Sequence, residues 1–313
     1  MQILKPPRLK KGDLIGIVAP AGPVLDVSKI DRGVRYLEQL GYHVAVGEHV
    51  NRIHGYLAGT DEERVTDLHS MFEDPRIKAI MAVRGGYGTT RILPLLNYRM
   101  IARHPKILVG FSDITALQLA LWRKCRLITF HGPMLAADFA DAVDSFKEEF
   151  FWDLVSSRAK KGKVVLPADA VSLRLHSGKA TGRLLGGNLS LIVSVLGTPY
   201  QPDFTDSILF MEDLDEEPYR VDRMVTQLSN ASVFEKSAGI LAGQFTGCTP
   251  KDPTRPSFHV DEIMERLAEE TAKPFLSNLP FGHIPRKMTL PTGLRARVNA
   301  DAGEIEFLES AVS

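Results

Sequence analysis

The feature that most constrains the fold is a regular alternation of short apolar runs and helical patterns along the first half of the chain. The apolar runs lie at residues 13–19, 43–46, 77–83, 107–112 and 127–130, with helical patterns between them. Strands separated by helices of this length are typical of a parallel sheet with helices on both faces. The first half therefore predicts a doubly wound, mostly parallel sheet.

Local signals place the helices between these strands. Residues 28–40 carry apolar side chains at helical spacing, and Gly41 follows where such a helix ends. Thr60 and Glu63 have the spacing of a capping box, which predicts a helix that continues to Phe72. Both helices fit the alternating pattern.

The second half predicts a different arrangement, because its strands and helices are more mixed and end in a hairpin over residues 296–308. A length of 313 residues suits two domains. We expect an α/β chain with an N-terminal doubly wound domain over residues 1–140, a charged connector over 141–177, and a C-terminal mixed α/β domain over 178–313.

Composition excludes several classes of protein. The 38 Lys and Arg residues balance 38 Asp and Glu residues, which argues against a nucleic-acid binder. No apolar run approaches the roughly 20 residues that span a bilayer, and residues 1–7 do not resemble a signal peptide. Cys125 and Cys248 lie far apart and no cluster has metal-ligand spacing. We expect a cytoplasmic protein without metal, cofactor, nucleic-acid or membrane partner.

Ser112 stands at the end of the apolar run 107–112, directly before a helical pattern. Ligands of doubly wound sheets gather at the carboxyl ends of the strands, where the backbone N–H groups of a following helix are exposed. Such a serine can be a nucleophile or only a helix cap. The sequence Gly110-Phe111-Ser112-Asp113-Ile114 lacks the second glycine of the α/β-hydrolase nucleophile turn, so both alternatives stay open.

A glycine loop, Arg84-Gly85-Gly86-Tyr87-Gly88, follows the neighbouring predicted strand. It could bind a phosphate, but it lacks the Lys-Ser/Thr pair of a P-loop and the spacing of a dinucleotide fingerprint. Exposed backbone N–H groups beside a strand-end serine also suit an oxyanion hole. We favour the oxyanion hole because it uses both features.

A serine nucleophile needs a base and a carboxylate that orients it. His131 and His283 both follow predicted strands, whereas His54 lies in a glycine-rich loop without further support. Glu212 ends the apolar run 207–211. The same loop is crowded with other acids, which the residues alone do not separate from Glu212: Asp213, Asp215, Glu216 and Glu217.

Seven motifs in order resemble the LD-carboxypeptidase family of serine peptidases, which also includes the microcin-immunity peptidases. The resemblance covers residues 9–308. Its motifs are Val18-Ala19-Pro20-Ala21-Gly22-Pro23, Arg84-Gly85-Gly86-Tyr87-Gly88, Gly110-Phe111-Ser112-Asp113, His131-Gly132-Pro133-Met134, Gly186-Gly187-Asn188-Leu189, Glu212-Asp213 with Glu217-Pro218-Tyr219-Arg220, and Gly282-His283.

The resemblance implies a catalytic triad of Ser112, Glu212 and His283, drawn from both domains. It implies an oxyanion hole from the backbone N–H of Asp113 and of a glycine in the Gly85-Gly86 pair. Substrate contacts are expected from four further residues, which are Arg84, Tyr87, His131 and Asn188.

The activity implied by the resemblance is release of the terminal D-alanine from cytoplasmic murein tetrapeptides during peptidoglycan recycling, by a homodimer. Immunity-type members cleave peptidyl- or aminoacyl-nucleotide conjugates and carry an elaborated loop with an aromatic residue after the catalytic glutamate. The short loop after Glu212 and the position of the tryptophans, Trp122 and Trp152, favour the murein-peptide branch. A protein that only binds a peptide in the cleft is the non-enzymatic alternative.

Overall fold

The computed structural model describes residues 2–167 and 170–313, which form a six-stranded and an eight-stranded sheet with helices packed around them. The strands are β1 (Leu14–Val18), β2 (His43–Val46), β3 (Ile77–Ala82), β4 (Ile107–Gly110), β5 (Thr129–His131), β6 (Gly162–Lys163), β7 (Leu173–His176), β8 (Lys179–Asn188), β9 (Ser207–Leu214), β10 (Gly239–Thr246), β11 (Phe275–Ser277), β12 (Leu290–Thr292), β13 (Arg295–Asn299) and β14 (Glu304–Phe307). The helices are α1 (Ser28–Gln39), α2 (Asp61–Glu73), α3 (Thr89–Ile92), which runs into a 3₁₀ turn (Leu93–Leu95), α4 (Tyr98–Arg103), α5 (Ile114–Cys125), α6 (Leu135–Asp138), α7 (Ser145–Ser156), α8 (Leu189–Ser194), α9 (Pro218–Asn230), α10 (Val233–Lys236) and α11 (Val260–Thr271).

The six-stranded sheet has the order β12-β5-β4-β3-β1-β2. The first five strands of the chain are parallel in it, and β12 closes one edge antiparallel to β5. Because β3 and β4 are neighbours, the loops that follow them meet at one edge of the sheet. This places the glycine loop beside Ser112.

The eight-stranded sheet has the order β6-β14-β13-β8-β9-β10-β11-β7. Its central strands β8 to β11 are parallel, and antiparallel strands flank them on both sides. The predicted fold class, a doubly wound sheet followed by a mixed α/β unit, is confirmed.

The helices follow the local signals. Thr60 accepts a hydrogen bond from the backbone N–H of Glu63, whose side chain accepts one from Thr60 in return, so α2 begins with a complete capping box. By contrast, α5 is buried along almost all of its length, as expected for a helix that is apolar all round. It packs against β8 and α8, and so joins the two sheets through one core.

Residues 141–177, predicted as a connector, contain α7, β6 and β7, and positions 168 and 169 of this segment lie outside the described residues. The Trp152 indole of α7 donates a hydrogen bond to the Tyr36 hydroxyl of α1 at 2.9 Å. The two short strands pair at opposite edges of the eight-stranded sheet. The proposed limits at 140 and 178 stay a prediction.

Within residues 2–167 and 170–313, the structure contains no helix with the length and apolar character needed to cross a membrane.

Candidate active site

Ser112 occupies a sharp turn between β4 and α5. Its φ is +61°, a left-handed conformation that non-glycine residues adopt rarely and that often marks a functional site. The turn is tight enough that a Cβ on Gly110 would lie 2.9 Å from Cγ1 of Ile114. A serine held in this way presents its hydroxyl at the edge of the sheet, as in strand-to-helix nucleophile turns.

The glycine loop approaches this serine closely. A Cβ on Gly85 would lie 2.9 Å from Cβ and 3.0 Å from Oγ of Ser112, so only glycine fits at position 85. The loop is fixed from the other side, where the Gly22 N–H donates to the Gly85 carbonyl at 3.2 Å. Gly86 has φ +121°, a conformation that glycine adopts without strain.

Asp113 joins the nucleophile turn to the start of α3. Its buried carboxylate accepts a hydrogen bond from the Thr89 N–H at 2.8 Å, and its carbonyl accepts one from the Thr89 hydroxyl at 2.5 Å. Burial raises the pKa of the Asp113 carboxyl, against these hydrogen bonds, which lower it. The two candidate oxyanion-hole segments are therefore fixed relative to each other.

His283 and Glu212 form a hydrogen-bonded pair. Nδ1 of His283 lies 2.7 Å from Oε2 of Glu212, whose side chain is fully buried. Gly282 makes this approach possible, because its φ is +107° and a Cβ there would lie 2.9 Å from Oε2 of Glu212. Burial raises the pKa of Glu212, while the hydrogen bond to His283 opposes the rise.

These parts meet in a cleft of about 420 Å³ between the two sheets. Ser112 and His283 both line it, together with Arg84, Gly85 and Gly86 from the first half and Asn188 and Glu216 from the second. The Phe111 ring forms part of the wall and lies 4.9 Å from the His283 ring, centroid to centroid. A serine, an imidazole and backbone amides arranged in this way can support nucleophilic acyl transfer.

Two of the predicted substrate contacts have exposed side chains. Arg84 is exposed, and its Nη1 donates to the Pro23 carbonyl at 3.1 Å. Tyr87 is 48% exposed and its ring packs edge-on against Tyr56. Both side chains are accessible to a bound molecule.

The side chains of the other two are buried. Asn188 lines the cleft, but its amide donates to Asp213 at 2.8 Å and its carbonyl oxygen caps α8 by accepting from the Leu191 N–H. His131 is only 2% exposed and lies behind Phe111, away from the cleft lining. Burial lowers the pKa of His131 to about 3, which favours a neutral ring. Across the described ranges, no group of three or more His, Cys, Asp or Glu side chains could hold a metal ion.

Comparison with known proteins identifies the family. Residues 15–132 match the LD-carboxypeptidase N-terminal domain, and residues 181–298 match the LD-carboxypeptidase C-terminal domain. The chain belongs to the LD-carboxypeptidase family. It is 39% identical to the probable murein peptide carboxypeptidase of Bacillus subtilis, over 99% of this chain and 95% of that protein. The chain is accordingly a serine-type carboxypeptidase.

Solved structures of the family have the same architecture. Muramoyltetrapeptide carboxypeptidase from Oxalobacter formigenes is 32% identical, with a TM-score of 0.81 over 94% of this chain and 97% of that one. The microcin C7 self-immunity protein MccF in complex with glutamyl sulfamoyl guanosine is 26% identical, with a TM-score of 0.91 over 99% and 100% of the chains. A muramoyltetrapeptide carboxypeptidase and a microcin self-immunity protein are therefore both among the solved structures that this chain resembles.

Some residues that build this carboxypeptidase site escaped the sequence analysis. Arg64 on α2 is buried, and its Nη1 donates to the carbonyls of Pro20 at 2.6 Å and Gly88 at 2.9 Å, which ties together the loops after β1 and β3. Lys287 lies four positions after His283 and is also buried. The carbonyl partners of Arg64 and the Asp138 partner of Lys287 are distant in sequence. Both residues also have charged neighbours in the sequence, so no local signal set either of them apart.

Proposed function

We propose that this carboxypeptidase hydrolyses the LD-peptide bond that releases the terminal D-alanine from murein tetrapeptides, with Ser112, Glu212 and His283 as its triad. The observation that carries the proposal is the 2.7 Å contact between His283 Nδ1 and Glu212 Oε2. His283 lines the same cleft as Ser112, whose backbone has the left-handed conformation. The similarity to murein peptide carboxypeptidases supports the substrate class.

The proposed mechanism follows from the hydrogen bonds. With Nδ1 donating to Glu212, Nε2 of His283 is left to take the proton of Ser112 as its oxygen attacks the carbonyl before the D-residue. The backbone N–H of Asp113 and of Gly85 or Gly86 would stabilise the oxyanion. His283 then gives its proton to the leaving amine, and water hydrolyses the acyl-enzyme to free Ser112.

A carboxypeptidase must also recognise the free carboxylate of its substrate. We propose Arg84 for this role, because its exposed guanidinium stands at the cleft mouth beside Gly85. Tyr87, His131 and Asn188 stay proposals as substrate contacts, of which the exposed Tyr87 has the most accessible side chain.

The test is mass spectrometry of the products from a mixed muropeptide digest. We expect loss of one terminal D-alanine from tetrapeptides and no cleavage when that carboxylate is amidated. Ser112→Ala, Glu212→Ala and His283→Ala should each abolish the release. Full activity of the Ser112→Ala variant would contradict the proposed triad.

A second candidate is hydrolysis of an aminoacyl-nucleotide conjugate, favoured by the TM-score of 0.91 to MccF. Against it, the loop from Glu212 to α9 is short, and the tryptophans of this chain lie in α5 and α7. Both substrates should be assayed side by side. Faster turnover of the conjugate than of the tetrapeptide would make conjugate hydrolysis the favoured function.

We propose further that the enzyme works as a homodimer in the cytoplasm, in peptidoglycan recycling. Both cysteines are free and buried, which suits a reducing compartment. Light scattering of the purified chain should give twice the monomer mass. A monomer at working concentration would contradict the dimer.

A further inference from the structure

A buried charge cluster lies behind the proposed triad. Nζ of Lys287 lies 2.9 Å from Oδ1 of Asp138, and Nζ of Lys147 lies 3.3 Å from the same oxygen. The three side chains are each no more than 6% exposed. One carboxylate thus faces two ammonium groups, which leaves an excess positive charge in a poorly solvated interior.

The Phe111 ring contacts both this cluster and the proposed triad. The Lys287 ammonium stands 3.9 Å from the centroid of that ring, and His283 packs against the same ring. Lys287 is near enough to Glu212 that the carboxylate raises the pKa of the ammonium, although burial has the larger effect and lowers it. Glu212 therefore contributes negative charge that offsets the second ammonium group.

An isolated buried carboxylate is strongly destabilised unless compensating charge is near. Oε2 of Glu212 binds His283, whereas Oε1 has no hydrogen-bond partner within the described ranges. A neutral imidazole supplies no full charge to offset Glu212. Lys287 is a cation placed to do so, and Asp138 holds it in position.

We propose that Lys287 is a positioning residue that keeps Glu212 ionised and so maintains the hydrogen bond that orients His283. The inference rests on the proposed triad and adds a residue to it. The other charged and titratable groups packed around Lys287 and Glu212 are His131 on β5, Asp138 on α6, Lys147 on α7, Asp213 on β9 and His283 on the loop before β12.

The decisive variant is Lys287→Gln, whose amide can still bind Asp138 but carries no charge. Without the cation, Glu212 takes up a proton at higher pH, so the acid limb of the kcat/KM profile should move up by about one pH unit. At pH values well below the wild-type midpoint, that shift lowers kcat/KM by about tenfold. Lys287→Arg should restore the wild-type limb.

Two comparisons separate this role from a loss of packing. Asp138→Asn removes the negative charge between the ammonium groups, while its amide oxygen can still accept a hydrogen bond from Lys287, so its acid limb should move to lower pH. Lys106→Met is the control, since Lys106 is buried just before β4, at the end of that strand opposite to Ser112, and binds the Met71 carbonyl at 2.8 Å. The Lys106→Met variant should be less stable than the wild type, but the acid limb of its kcat/KM profile should not move.

Proton NMR of the hydrogen bond between His283 Nδ1 and Glu212 gives a readout that needs no turnover. Its titration midpoint should move in Lys287→Gln as the activity limb does. Coincident midpoints for wild type and Lys287→Gln would overturn the role of Lys287. If Lys287→Gln does not fold, an unmoved midpoint in Asp138→Asn would do the same. Absence of activity on the tetrapeptide would instead overturn the proposed function, with the NMR titration still deciding on Lys287.

Discussion

At the scale of single residues, Glu212 shows a conflict between stability and chemistry. Its side chain is fully buried, and burial raises the pKa of its carboxyl group above the ordinary value of 4.5. Asp213 beside it raises that pKa further. A glutamine or an apolar residue would suit this position better for folding alone, so the carboxylate is best explained by its contact with His283.

We predict that Glu212→Gln changes stability in a pH-dependent way. Because the folded-state pKa of Glu212 is raised, its ionisation destabilises the fold, and the wild type loses stability as pH rises from about 4.5 through that raised pKa. The variant lacks this loss. Thermal unfolding from pH 4 to pH 8 should show the Tm of the variant gaining on the wild type with increasing pH.

Glu309→Gln provides the opposite sign as a control. Glu309 lies 2.9 Å from Lys5 and 3.0 Å from Arg183, and the hydrogen bonds of these partners hold its pKa below the ordinary value in spite of burial. Its charge therefore stabilises the fold at neutral pH, and the variant should fall behind the wild type as pH rises. If the Tm of Glu212→Gln differs from the wild-type Tm by the same amount at every pH, the prediction for Glu212 is contradicted.

The residues of the site were predictable to different degrees. Ser112 follows closely on β4, as the apolar pattern predicts, whereas His283 lies within the loop between β11 and β12 and not directly at a strand end. The acids in the last part of β9 and in the loop after it could not be separated from sequence alone, because their roles depend on which way each side chain points. In the structure, Asp213 accepts hydrogen bonds from Asn188, Ser190 and Leu214, whereas Glu212 reaches His283.

At the scale of elements, the loop after β3 and the turn after β4 are one unit. Gly85 touches Ser112, and Asp113 binds Thr89 at the start of α3. Arg64 adds a third tie through the Gly88 carbonyl. The backbone amides proposed to bind the oxyanion are thus fixed before substrate arrives, as electrostatic stabilisation requires.

We predict that Gly85→Ala lowers kcat by about 10²-fold or more, because the new methyl group must displace the Ser112 side chain or the loop. Gly197→Ala is the control: its φ of +72° makes alanine strained, but a Cβ there meets nothing within 4 Å. It should lose stability and keep its kcat. Steady-state kinetics with thermal melting distinguishes the two, and wild-type kcat in Gly85→Ala would contradict the close approach.

Elements with strong local signals were predicted well, and those defined by distant pairing were not. The capping box located α2, and the helical pattern over residues 28–40 matches α1. Strand β12 has three residues with Pro291 in the middle, so no local pattern indicates it. It exists because it pairs with the edge of β5, far away in sequence.

At the scale of the whole molecule, the two halves complete each other. Strand β12 comes from the second half of the chain but closes the edge of the first sheet. The buried α5, which begins just after the nucleophile, packs against β8 and α8. Ser313 hydrogen-bonds to Pro6 and Arg8, and so ties the last residues to the first. The site lies in the cleft between units that share one core.

We predict that residues 1–140 alone do not form a stable domain. Without β12 and the second sheet, the fragment would expose the edge of β5 and the apolar face of α5, which favours aggregation. Size-exclusion chromatography and near-UV circular dichroism should show an aggregated or loosely packed chain. Co-expressed fragments 1–177 and 178–313 retain both surfaces and should reassemble with measurable carboxypeptidase activity. A monodisperse 1–140 fragment with cooperative unfolding would show instead that the nucleophile domain is complete by itself.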